Sequence, residues 1–202
     1  MKLWDKGISI DKKIEKFTVG NDRELDMHLA EYDLKASKAH ARMLGKVDIL
    51  TSEEVKSIED ELAKLQKQLE NGTFEIEEDF EDVHSKIEFE LTKALGDTGK
   101  KIHTARSRND QVLVAMQLYF KENLKEISGK TKQLIDVLLG LADKHQEKLL
   151  PGYTHLQVAM PSSFGLWFSA YAELLIDDIY LLEAGLKVVD QNPLGSAAGY
   201  GS

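Results

Sequence analysis

The sequence predicts an all-α fold, on three observations. Proline is scarce, with three in 202 residues, in a chain rich in leucine and charge. Apolar residues recur at steps of three and four over several long stretches, the spacing of a buried helix face. No strand pattern, internal repeat or low-complexity tract stands out between them.

The elements follow in order. A first helix is predicted from Asn21 or Asp22. Leu25, Leu29, Tyr32, Ala36, Ala39 and Met43 keep a 3-4 rhythm, and Gly45 fits a C-terminal cap. A second runs from Ser52 to about Glu70. Thr51 and Glu54 form a capping-box pattern, Val55, Ile58, Leu62, Leu65 and Leu69 line one face, and Asn71-Gly72 ends it. The two read as an antiparallel hairpin. Six of the eight residues from Glu75 to Asp82 are acidic, and a third helix then runs to Leu95, stopped by Gly96. From Asn109 to Leu150 there is no proline, which predicts one helix of about 40 residues, roughly 60 Å long. Gly129 and Gly140 are its candidate bends, and Pro151-Gly152 is its expected end.

The last helix is expected to start at Pro161, a suitable first-turn proline, and to run to about Val189. Trp167, Tyr171, Leu174, Leu181 and Val188 line one face, and Phe168, Leu175, Leu182 and Val189 another. A helix apolar on two faces sits inside a bundle. Two helices this long imply a bundle that buries its flanks against other subunits. Trp4 and Trp167 read as packing residues. The division expected is an N-terminal helical domain over residues 1–108 and the start of a long-helix bundle over 109–202. The glycine-rich end, NPLGSAAGYGS, reads as a connection into more protein, so the chain is expected to be a fragment.

Composition narrows the function. Charged residues make up 30%, which excludes a membrane protein. The longest uncharged run, Leu149 to Ala172, carries Pro151, Pro161 and several hydroxyls and does not read as a span. The opening MKLWDKGISIDKK has no apolar core of signal-peptide length, so a cytoplasmic protein is expected. With 26 Lys and Arg against 35 Asp and Glu, the net charge is −9, and neither nucleic acid nor membrane is an expected partner. There is no cysteine, which excludes disulfides, thiolate metal sites and a cysteine nucleophile.

Three stretches could carry chemistry. KKIHTARSR, Lys100 to Arg108, holds four cations and His103 without an acid, just before the long helix. Arginine forks, hydroxyls and a helix N-terminus are what a carboxylate needs, and Thr104, Ser107, Asn109 and Gln111 add directional hydrogen bonds. A solvated basic loop is the plain alternative. GYTHLQ, Gly152 to Gln157, sets His155 between two long helices with Thr154 and Gln157 beside it. Histidine titrates near neutrality and suits proton transfer, although a lone one is more often structural. EDVHSKIE, Glu81 to Glu88, contains a Glu81-x-x-His84 step, the ligand step of di-iron bundles. No other histidine has a Glu three residues before it, so no metal is expected there, and an exposed helix start is the alternative. His28, His40 and His145 read as ordinary helix residues.

The order of these blocks is more specific than any one of them. GKKIHTARSRNDQV from Gly99, PGYTHLQVAMP from Pro151, EDVHSKIE and NPLGSAAG from Asn192 together resemble the argininosuccinate lyases of the fumarase/aspartase superfamily, over nearly the whole chain and as their N-terminal part. Fumarases and adenylosuccinate lyases carry a different loop where this chain has Thr-Ala-Arg-Ser-Arg-Asn-Asp. The resemblance implies β-elimination of argininosuccinate to arginine and fumarate, in arginine biosynthesis, without metal or organic cofactor. It implies His155 as the catalytic histidine, with Ser107, Arg108, Asn109, Thr154 and Gln157 on substrate and His84 near it. It also implies a homotetramer built on a central helical bundle, with each site drawn from three subunits.

Two departures qualify the resemblance. The family's catalytic serine lies on a Gly-Ser-Ser…Met-Pro…Lys…Asn-Pro loop that is not found here, so the isolated chain is expected to be nearly inactive. The family also has a substrate-contacting serine soon after Glu-Lys-Phe. Here Phe17 is followed by TVGNDRELD, in which Thr18 and Asp22 are the polar substitutes. A non-catalytic helical protein of the same superfamily, like the lens crystallins, is the alternative reading.

Overall fold

The computed structural model describes residues 11–193; Trp4 and the stretch from Leu194 onward lie outside them. The described residues form two compact units, one reaching to Tyr119 and the other spanning Phe120–Gln191. The fold is helical with one small sheet.

In the first unit, α1 is Lys12–Val19, α2 is Asp22–Asp26 and α3 is Ala30–Lys46. The single helix expected from Asn21 is therefore broken at residues 27–29. Long-range hydrogen bonds are the reason. The Asp26 carboxylate accepts from the Val83 N–H at 3.2 Å, and Arg23 donates to the carbonyls of Phe80 and Glu78 at 2.6 and 2.7 Å. These tie α2 to the acidic stretch, and the chain turns tightly after it, with the Leu29 N–H on the Asp26 carbonyl. Gly45 is not a cap. The helix continues to Lys46, and the chain reverses at Asp48, whose φ is 60°. Gly45 instead permits close approach to the next helix, since a Cβ there would lie 2.7 Å from Val55 Cγ2.

α4, Ser52–Glu70, has both halves of the expected capping box: the Glu54 N–H donates to Thr51 Oγ1, and the Thr51 N–H to Glu54 Oε2. α5, Val83–Leu95, is capped by the Asp82 carboxylate on the Ser85 N–H and stops at Gly96, whose φ is 60°. A short α6, Asp97–Lys100, and a 3-10 turn, Lys101–His103, lead onward. Leu34 and Leu44 of α3, Ile58, Leu62 and Leu65 of α4, Ile87 and Leu91 of α5, and Ile102 close one apolar core. The start of α5 is thus an interior element, not the exposed helix start weighed as an alternative.

α7, Arg108–His145, begins in the first unit and continues through the second, unbroken at Gly129 and Gly140. It ends before Leu150, because the next residues form a hairpin. β1, Leu149–Thr154, pairs antiparallel with β2, Gln157–Ser163. This corrects the strand-free expectation and the two prolines with it. Pro151 faces Pro161 within the ladder. The Phe164 N–H donates to the Lys148 carbonyl. Alternation from that bond puts the proline pair at a non-hydrogen-bonded position, where a missing N–H costs nothing. The last helix, α8, is Phe164–Val189, and its cap is Ser163, whose hydroxyl accepts from the Leu166 N–H. In this unit Ala172 and Ile179 of α8, flanked by Leu175 and Leu182, pack on Ile135 and Leu138 of α7. Trp167, Tyr171, Leu174, Leu181 and Val188, the other apolar face, are exposed.

Candidate active site

In the first unit the expected site residues gather around the N-terminus of α7. Ser107 precedes it, and Ser107 and Asp110 cap reciprocally. The Asp110 N–H donates to Ser107 Oγ at 3.3 Å, and the Ser107 N–H to Asp110 Oδ2 at 2.8 Å. The Ser107 hydroxyl keeps its own hydrogen for a ligand. Asn109 is exposed. The approach loop is held by His40, a helix residue that is nonetheless buried, with Nε2 2.9 Å from the Thr104 carbonyl oxygen.

The basic block is matched by acids, most of them from other elements. Arg108 donates to both oxygens of Glu88, at 3.2 and 3.1 Å, and to Gln111 Oε1 at 2.6 Å. His103 Nδ1 lies 3.0 Å from Glu88 Oε1. Lys101 pairs with Glu54, and Lys100 with Asp97. Arg106 is buried and donates to Ser37 Oγ at 3.1 Å. The cations were visible in the sequence, but, apart from Asp97 and Gln111 on their own helices, their partners come from α3, α4 and α5.

Behind this edge sits Asp33 of α3, which is fully buried. Gln111 Nε2 donates to both of its oxygens at 3.0 Å. His84, 1% exposed, has Nδ1 3.2 Å from Asp33 Oδ2, a close contact that is not an aligned hydrogen bond. Burial pushes the Asp33 carboxyl up. His84, the Arg106 charge and the Gln111 amide outweigh it and hold Asp33 below the usual carboxylate range. Burial likewise pushes Glu88 up, and His103 and Arg108 bring it below its ordinary value. Both acids are therefore ionised at neutral pH.

Sequence reasoning passed over Asp33, Ser37 and Glu88. The signal for Asp33 was present: it lies three residues from Ala30 and four from Ser37, on the face of α3 that is otherwise buried. A carboxylate on such a face needs a partner.

The second unit holds Thr154, His155 and Gln157. Thr154 and Gln157 are cross-strand partners at the end of the ladder, and His155-Leu156 is the two-residue turn between them. Both turn residues have positive φ, 48° and 65°, the pattern of a type I′ hairpin turn. Neither is glycine, so the backbone carries strain at this tip, and Leu156 is 98% exposed. His84, Ser107, Arg108 and Asn109 thus share the first unit, and the hairpin residues belong to the second. Among the described residues, no cluster of three or more His, Asp or Glu side chains is arranged to hold a metal ion. No helix among them is long and apolar enough to cross a membrane.

Known proteins share this sequence and fold. An argininosuccinate lyase from Bacteroides fragilis is 52% identical over 201 residues, all of this chain and 45% of that protein. Another, from Thermotoga neapolitana, is 47% identical over 200 residues, 99% of this chain and 50% of that protein. The chain thus spans about half the length of the curated relatives it matches. An EDDS lyase variant with bound fumarate superimposes with a TM-score of 0.77 at 22% identity, over 96% of this chain and 38% of that one. That likeness speaks for the fold alone. The family model described as Lyase matches residues 7–202, and the chain belongs to that family.

Proposed function

We propose that the protein carrying this chain is an argininosuccinate lyase of arginine biosynthesis. It would cleave argininosuccinate to arginine and fumarate in the cytoplasm, as a homotetramer. The observation that carries this reading is 52% identity to an argininosuccinate lyase along the entire chain, with the candidate residues on or beside α5, α7 and the β1–β2 hairpin.

The chemistry suits the residues. In the elimination a base takes a proton from the carbon next to a carboxylate, the C–N bond breaks as the C=C bond forms, and the departing guanidine nitrogen gains a proton. Negative charge develops on the carboxylate, and fixed donors lower the barrier most when they stand ready for it. Ser107 and Asn109 supply a hydroxyl and an amide. The Arg108 fork is engaged by Glu88, so Arg108 contributes mainly its charge and its remaining N–H groups. His155 is the proton-handling group, with Thr154 and Gln157 as substrate contacts and His84 near the substrate. The strained tip fits a functional role for His155. In this reading the base comes from the part of the relatives' length that this chain does not span, so the chain alone turns over little substrate. The exposed apolar face of α8 is then covered by other subunits.

The test is ultraviolet detection of fumarate from argininosuccinate, with the full-length protein beside the 202-residue chain. Fumarate from the former and almost none from the latter is expected. A full-length protein that releases no fumarate would overturn the assignment.

A further inference from the structure

We propose that Asp33 is a positioning residue that sets His84 and Arg108 together from inside the first unit. It lies on α3, His84 on α5, and Gln111 and Arg108 on the first turn of α7. One carboxylate therefore joins three helices.

An ionised carboxylate only accepts. Gln111 must then turn its amide nitrogen to Asp33, as the two 3.0 Å bonds require, and its oxygen the other way. That oxygen is the one that accepts from Arg108 at 2.6 Å. The same logic applies to His84. Its Nδ1 lies 3.2 Å from Asp33 Oδ2 without an aligned hydrogen bond. A ring lone pair there would face the carboxylate, so the Nδ1–H tautomer is favoured and Nε2 is left for a ligand. Removing the charge of Asp33 unsettles both. An amide in its place could donate to Gln111 Oε1, which would flip that side chain away from Arg108. Ser37 and Arg106 complete the surroundings of Asp33: the Ser37 hydroxyl donates to Asp33 Oδ1 at 3.5 Å and already accepts from Arg106.

The kinetic part rests on the lyase reading; the histidine part does not. The experiment is Asp33→Asn, made in the full-length protein and in this chain. Nitrogen-15 NMR separates the two ring tautomers of His84. The unsubstituted protein is expected to hold the Nδ1–H form and the variant to lose that preference. KM for argininosuccinate is expected to rise about tenfold as Arg108 loses its setting. A merely structural Asp33 would lower the folded fraction and so the apparent kcat, with KM and tautomer unchanged; that result overturns the proposal. Adding Gln111→Glu to Asp33→Asn again sets an amide opposite a carboxylate, with an oxygen free for Arg108. This pair is expected to return KM to within about threefold of the unsubstituted value without restoring the tautomer. It also serves if the single variant fails to fold. Failed KM rescue, or a retained Nδ1–H ring, contradicts the proposal. A full-length protein with no lyase activity would sink the function reading, and the tautomer measurement would still decide the link between Asp33 and His84.

Discussion

The two units of this chain solve the burial problem differently. The first closes its own core, with the interior faces of α3, α4 and α5 meeting around Leu62 and Ile87, and it encloses a polar cluster at Asp33. The second pairs one face of α8 with α7 and leaves Leu174, Tyr180, Leu181 and Val188 in the open. A unit with a sealed interior can hold donors and charges in fixed geometry. A unit with an open apolar face has fewer buried contacts to hold its side chains in place. The contrast runs parallel to the proposed split in chemistry: the substrate grip proposed for Ser107, Arg108 and Asn109 rests on a finished core, and the proton handling proposed for His155 stands on an exposed hairpin tip.

The largest test of this contrast is core truncation. Leu62→Ala is expected to cost about 2–5 kcal/mol, and Leu181→Ala in this chain within about 0.5 kcal/mol. Segment-resolved hydrogen exchange under denaturant reads both, and equal effects would erase the distinction.

Acid comes next. Asp33 and Glu88 are held below their ordinary values of 3.8 and 4.5, so below about pH 4.5 the unfolded chain binds protons that the folded one refuses. Their contribution is present above that pH and is lost as pH falls through the folded values. His40 is lowered from 6.5, chiefly by burial and the Arg106 charge. Its unfolded form therefore takes a proton first, and stability starts to fall below pH 6.5. Thermal melts are expected to drop in two stages, and His40→Gln should shrink the upper one, to which His145, also held below its ordinary value by desolvation and by Lys148 and Lys144, contributes as well.

Two smaller effects sharpen the comparison. Thr51→Ala removes the capping box of α4 and is expected to cost the first unit about 1 kcal/mol. Leu156→Gly relieves a left-handed leucine and is expected to stabilise the hairpin by up to about 1 kcal/mol, read as slower exchange of the β1 and β2 amides.

Legibility in the sequence followed the range of each interaction rather than the unit it lies in. The α4 cap, its 3-4 stripe and the Gly96 stop are local devices, and the sequence states them outright. The break after α2 was hidden because it depends on Asp26 reaching Val83, 57 residues away. The hairpin was hidden because most of its residues are exposed, so no alternation marks it, and because two prolines argue against a strand until they are seen to face each other. The candidate blocks were legible as residue types. Their partners Asp33 and Glu88 were not, since pairing across helices leaves no short-range spacing.

The measurement that tests the central claim most directly sets Asn109→Ala beside His155→Ala in steady-state fumarate release by the full-length protein. Separate roles for the two units predict a KM raised about tenfold with kcat largely kept for the first, and a kcat lowered about 100-fold or more with KM nearly unchanged for the second. The same loss in the same parameter from both, or near-normal turnover without His155, would contradict it.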